Sequence, residues 1–162
     1  MTTFDLARYQ EPSTIQRVLR DAKTIAIVGL SGNSLRASYF VGFYLQRHGY
    51  EVIPVNPRES EILGVRSFPS LRDVPVAVDV VNVFRAPAAL PEIATEAVAI
   101  GARCLWCQFT VINEEGARIA ERGGLSVVMD RCTKVEHARY VGRMHWFGMN
   151  TQRITSVRGG LQ

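Results

Sequence analysis

The stretch Thr24-Ile-Ala-Ile-Val-Gly-Leu-Ser-Gly-Asn-Ser-Leu-Arg-Ala-Ser38 decides the fold. Ile25 to Val28 is an uninterrupted apolar run, the pattern of a strand buried on both faces of a parallel sheet. Gly29 ends the run and a small polar loop follows. Ala37, Phe40, Val41, Tyr44 and Leu45 then recur at the spacing of one helical face. Strand, glycine turn and helix in that order make the first unit of a parallel α/β fold. They also set a helix N-terminus, with its unpaired N–H groups and positive dipole, just beyond the strand, which suits a pyrophosphate. The loop lacks the G-x-G-x-x-G spelling of the common dinucleotide fingerprint. The nucleotide it serves must therefore be read from the neighbouring strand ends.

The same cycle repeats on either side. Upstream, Ser13-x-x-Gln16 has the form of a capping box before an apolar face of Ile15, Val18, Leu19 and Ala22. Downstream, Gly49 stops the helix, and Glu51–Val55 is a second strand closed by Asn56-Pro57. Ile62-Leu63 and Val65 read as a short strand and Ser70–Asp73 as a helical turn. Val78–Phe84 is a third strand, followed by a helical face of Leu90, Ile93, Ala94, Ala97 and Val98 with Pro91 in its first turn. Cys104–Cys107 is a fourth strand. Asn113 caps a helix whose first turn holds Glu114 and Glu115, Gly123-Gly124 ends it, and Leu125–Met129 is a fifth strand. Alternation of this kind implies right-handed crossovers. It predicts one α/β, Rossmann-like domain over residues 1–162, a doubly wound, mainly parallel sheet of about five strands with helices on both faces. A basic, partly extended tail is expected from about residue 146.

At 162 residues the chain can bury a sizeable core. No apolar run approaches the ~20 residues that span a bilayer, and residues 1–12 have the make-up of no secretory signal. Three cysteines, an odd number, point to reduced thiols and a cytoplasmic location. The net charge of +4 is uneven: residues 131–162 hold six Lys and Arg against the single acid Glu136. Such a segment holds nucleic acid, faces an anionic ligand or is merely solvated. With no nucleic-acid motif beside it, nucleic acid is the disfavoured partner. A homodimer is left open.

In open α/β sheets ligands lie beyond the carboxyl ends of the strands. After strand one, Gly29 and Gly32 allow close backbone approach, Ser31 and Ser38 offer hydrogen bonds, and Arg36 adds a cation; an ordinary capped turn is the alternative. After strand two, NAD sites carry an acid for the ribose. Here Val55-Asn56 stands in that place and the next acid is Glu59, which weakens NAD. Arg58 suits the extra ribose phosphate of NADP or coenzyme A. Phe84-Arg85 sets a ring and a guanidinium at the end of strand three, the latter able to grip phosphate bidentately. Gln108 lies one residue past strand four. Cys104-x-x-Cys107 invites a redox or zinc reading, but an odd separation in a strand sends the two side chains to opposite faces, roughly 10 Å apart along it. Buried thiols are the better reading, and no metal site is expected. His48, His137 and His145 have no neighbours that make a catalytic pair.

Val28-Gly-Leu-Ser31 through Arg36-x-Ser38, Val52–Pro57, Val83-Phe-Arg85, Trp106-x-Gln108 and Val127–Cys132 together resemble the small stand-alone CoA-binding proteins. These in turn are similar to the nucleotide-binding domain of the succinyl-CoA synthetase α subunit. The likeness extends over essentially the whole chain, including Gly148-Met-Asn-Thr151. It implies coenzyme A or an acyl-CoA held along the carboxyl edge of the sheet. Gly29, Ser31, Arg36 and Ser38 would hold phosphate, Val55 and Asn56 the adenosine side, and Phe84, Arg85 and Gln108 the remainder. Two departures stand out: Ser34 and Ala37 replace frequent prolines, and Thr110 replaces a common glycine. The synthetase's phosphorylated histidine belongs to a second domain, and His137 does not match it. The expectation is non-catalytic CoA binding by a carrier, sensor or regulatory module. The alternative is a small NADP-binding oxidoreductase.

Overall fold

The computed structural model describes residues 3–142. In chain order the elements are helix α1 (Pro12–Asp21), strand β1 (Thr24–Val28), α2 (Ala37–Arg47), β2 (Glu51–Val55) and a hairpin of β3 (Glu61–Ile62) and β4 (Val65–Arg66). Then come β5 (Val80–Val83), α3 (Leu90–Ala99), β6 (Cys104–Cys107), α4 (Glu114–Arg122), β7 (Ser126–Val128) and α5 (Thr133–Tyr140). Five strands form one parallel sheet in the order β2-β1-β5-β6-β7. This is the doubly wound α/β architecture that the alternation predicts.

Alternate residues of each strand feed two cores. Ile25 and Ile27 of β1 join Ile15 and Leu19 of α1 and Val41 and Leu45 of α2 on one face. Ala26 and Val28 join Leu90, Ala94 and Ala97 of α3 and Ala117 and Ala120 of α4 on the other. The same rule separates the cysteines of β6, with Cys104 in the first core and Cys107 in the second. All three cysteines are free thiols. Burial pushes the Cys104 thiol up to about 12 and raises that of Cys107 as well.

Four features differ from the sequence reading. Helix α1 starts at Pro12 with Glu11 as its N-cap, so Ser13 lies within the first turn and does not cap it; proline's fixed φ favours that first position. The buried face of α2 is Ser38, Val41, Gly42 and Leu45, while Ala37 and Phe40 are exposed. Small residues face inward because Gly42 packs against the side chains of Leu30 and Leu63. The weak strand is a hairpin, turned by Leu63 and Gly64 in left-handed conformations. Helix α5 was not anticipated. Its buried residues are Thr133, Glu136, His137 and Arg139, which reverses the expected polarity of a core-facing stripe. Among the described residues no helix is long and apolar enough to cross a membrane. The tail expected from about residue 146, with His145 and Gly148–Thr151, lies outside the described residues.

Candidate functional site

The chain runs from β1 outward to β2 and then back across β1 to β5, so strand order reverses between β1 and β5. The order is that of flavodoxin-like folds, whose ligand crevice lies at this reversal, outside the carboxyl ends. Gly29 fills the junction: its N–H donates to the Val55 carbonyl at 2.9 Å, and the Phe84 N–H donates to the Val28 carbonyl at 2.8 Å. Gly29 has a φ of +86°, and a β-carbon on it would lie 2.4 Å from the Phe84 carbonyl oxygen. Glycine is required on both counts.

Beyond Gly29 the loop is shaped by its own side chains. The Ser31 N–H donates to Ser38 Oγ at 3.1 Å, and Ser31 Oγ accepts from the Asn33 N–H at 3.1 Å. Asn33 Oδ1 accepts from the Leu35 N–H at 2.9 Å. Ser31 and Ser38 thus set the loop's curvature, and Arg36 stands exposed at the N-cap of α2.

The turn after β2 is tied to this loop by Asn56. Its Nδ2 donates to the Leu30 carbonyl at 2.9 Å and to Glu59 Oε2 at 3.3 Å, while its Oδ1 accepts from the Arg58 N–H at 2.8 Å. Glu59 Oε2 also accepts from the Gly32 N–H at 2.9 Å. Val55 is buried and Arg58 is exposed.

Two cavities flank the reversal. One, of about 270 Å³, lies over the α3 core and is lined by Val28, Val55, Pro57, Leu71, Arg85 and Ile93 among others. The second, of about 290 Å³, lies on the α2 side, with Val41, Phe84, Arg85, Gln108, Thr110 and Cys132 in its lining. Arg85 borders both, and Phe84 is half-buried beside it. A third cavity, about 180 Å³, opens at the opposite, amino edge near Asp79 and Cys104, where sheets of this kind do not hold ligands.

Gln108, in the lining of the second cavity, belongs to a buried polar network. Asn82 is 0 % exposed, Gln108 4 % and Thr133 0 %. The Gln108 Nε2 donates to Asn82 Oδ1 and, at 3.0 Å, to Thr133 Oγ1; Asn82 Nδ2 donates to the same hydroxyl at 3.0 Å. The Gln108 amide is therefore turned into the fold, its N–H₂ engaged internally. Asn82 within the apolar run Val80–Val83 was the one sequence sign of this network. At the rim, Thr110 and Asp130 take left-handed backbone with φ of 71° and 55°, and the Thr110 N–H donates to Asp130 Oδ1 at 2.7 Å. The Cys132 thiol is raised by burial, with the nearby N–H groups of Val135 and Lys134 pulling the other way.

His137 lies outside the lining of both cavities and packs from α5 against α2. Tyr44 Oη is 2.9 Å from its Nδ1, and His48 and Tyr50 set rings against it. Burial, aided by His48, holds its pKa below the ordinary value.

Gly29, Arg85 and the two cavities lie together at the strand reversal of a Rossmann-like sheet. The family model for the CoA binding domain matches residues 23–138, and the chain belongs to that family. It is 42 % identical over 131 residues to the uncharacterized protein YneT of Bacillus subtilis, across 80 % of this chain and 97 % of YneT. A hypothetical protein from Pyrococcus horikoshii has the same fold, with a TM-score of 0.81 and 35 % identity, covering 88 % of this chain and 100 % of that one. The acetate–CoA ligase (ADP-forming) II of Archaeoglobus fulgidus is 27 % identical over 101 residues, which are 61 % of this chain but 15 % of the ligase.

Proposed function

We propose that this protein binds coenzyme A or an acyl-CoA across the carboxyl edge of its sheet, without transforming it, as a carrier, sensor or regulatory module. The observation that carries the reading is Arg85: one exposed guanidinium borders both cavities at the strand reversal, in a chain of the CoA-binding domain family. A ligand crossing from one cavity to the other passes this cation, which suits a diphosphate flanked by two less charged ends. Gly29 keeps the floor low enough for close approach, Arg36 and Arg58 stand exposed on the adjoining loops, and Phe84 and Gln108 border the second cavity. Ser31, Ser38 and Asn56 act by shaping the two loops, and Val55 lines the first cavity. The thiol of Cys132 in the lining, raised by burial, is a poor nucleophile.

Calorimetric titration and thermal shift with CoA, acetyl-CoA, ADP and NADP test the proposal. CoA or acetyl-CoA should bind most tightly, and Arg85→Ala should weaken binding by about tenfold or more, the worth of a charged hydrogen bond. Stabilisation by NADP with none by CoA would overturn it in favour of the oxidoreductase reading.

A further inference from the structure

The N–H groups of the β1–α2 loop have acceptors of two kinds. Those of Ser31, Asn33, Leu35 and Arg36 donate to atoms of the loop and the start of α2: Ser38 Oγ, Ser31 Oγ, Asn33 Oδ1 and the Asn33 carbonyl. Past Gly29, whose N–H donates to the Val55 carbonyl, the Gly32 N–H reaches outside the loop to the carboxylate of Glu59 on the turn after β2. A β-carbon on residue 32 would lie 2.3 Å from Glu59 Oε1, so any larger residue there would make the carboxylate shift from its present place on the amide. Asn56 Nδ2 donates to the same oxygen from the other side. A carboxylate oxygen that accepts a glycine N–H in the loop after the first strand has the charge and the hydrogen-bonding role of a ligand phosphate oxygen.

Resting on the CoA reading, we propose that Glu59 is a tethered anion occupying a phosphate position of the loop, and that an incoming phosphate displaces it. Two anions do not share one N–H, so the ligand's affinity is set by competition with the protein's own side chain. Glu59 then tunes which ligands are held: a diphosphate with further contacts at Arg85 displaces it, while an isolated phosphate competes poorly. Displacement also releases one partner of Asn56 and so reports occupancy of the β1 loop to the turn after β2.

The test is calorimetric titration of the full chain, as wild type, Glu59→Gln and Glu59→Ala, with CoA and separately with inorganic pyrophosphate. Both variants should bind each probe about tenfold more tightly, the worth of one charge-assisted hydrogen bond. Equal affinities in all three proteins would overturn the proposal. So would weaker CoA binding in the variants, which would instead make Glu59 a direct contact of the ligand's ribose. If no protein binds CoA, the CoA reading falls, and the pyrophosphate titration still decides the role of Glu59: tighter binding by the variants supports it, and unchanged or undetectable binding by all three ends it.

Discussion

Alanine at Gly29 should cost far more than alanine at Gly49, although the two glycines share nearly the same backbone, with φ of +86° and +89°. A left-handed L-residue costs about 1–2 kcal/mol, and the stiffer unfolded chain returns about 0.4–1 kcal/mol. Around Gly49 nothing lies within 4 Å of an added β-carbon, so Gly49→Ala should cost about 1 kcal/mol. At Gly29 the same carbon meets the Phe84 carbonyl oxygen at 2.4 Å and Arg85 Cδ at 3.0 Å. The arginine can swing away. The carbonyl cannot, because Phe84 is pinned to Val28 through its own N–H. Relief requires the ends of β1 and β5 to part, and overpacking of this kind adds about 1–3 kcal/mol. Gly29→Ala should therefore lose about 2–4 kcal/mol, or roughly 4–16 °C in melting temperature for a chain of this size. Gly49→Ala should lose roughly 2–4 °C. Circular dichroism melts of both variants at one pH measure the difference, and CoA titration should show weakened binding at position 29 alone. Equal melting temperatures would refute the reasoning, since they would mean that the junction has room for a side chain.

Thr110→Gly should raise the melting temperature by roughly 2–4 °C, because a β-branched residue is relieved of a left-handed φ of 71°; a decrease in a thermal melt would show that the hydroxyl holds the rim. His137 titrates below its ordinary 6.5 in the folded protein, so the unfolded chain takes up the proton first as pH falls. Its contribution to stability is complete above 6.5 and declines toward the lowered folded value, by up to about 1.4 kcal/mol per pH unit. Glu136, whose carboxyl burial raises, acts in the opposite sense, so the readout is the difference in urea unfolding between wild type and His137→Gln across that range, which should grow as pH rises toward 6.5 and level off above it if histidine is the cause. Native labelling with a thiol reagent should modify Cys132 first, because it is 8 % exposed and lines the second cavity, whereas Cys104 and Cys107 are 1 % and 0 % exposed; CoA should slow it, and faster labelling of Cys107 would contradict the burial pattern.

The strands were legible because a doubly covered parallel sheet writes itself as short, wholly apolar runs, and Ile25–Val28 and Cys104–Cys107 are such runs. The Asn113 cap was legible too, since its side chain does accept from the Gly116 N–H. Helix α5 was hidden because polar residues form its buried side: Glu136 lies 3.6 Å from Arg139 and 4.0 Å from Arg131, pairs that no hydropathy pattern announces. The rotation of α2 was hidden because Ser38 and Gly42 are buried for their small size, while Phe40 is 52 % exposed. The strand ends marked where a site should lie. They did not reveal that Glu59 reaches a loop 27 residues earlier in the chain, because a contact across two turns depends on where the sheet sets their ends.

The reversal of strand order has a consequence for how this protein can change. The crevice exists because α2 and α3 leave the same edge of the sheet toward opposite faces, whatever side chains stand in it. Arg36, Arg58 and Arg85 are all exposed, and the two apolar cores are built from other residues. On the proposed reading, ligand preference rests on a handful of surface positions, where substitutions usually shift stability by no more than about 0.5 kcal/mol. A lineage can rewrite those positions and acquire a new ligand without passing through an unfolded intermediate.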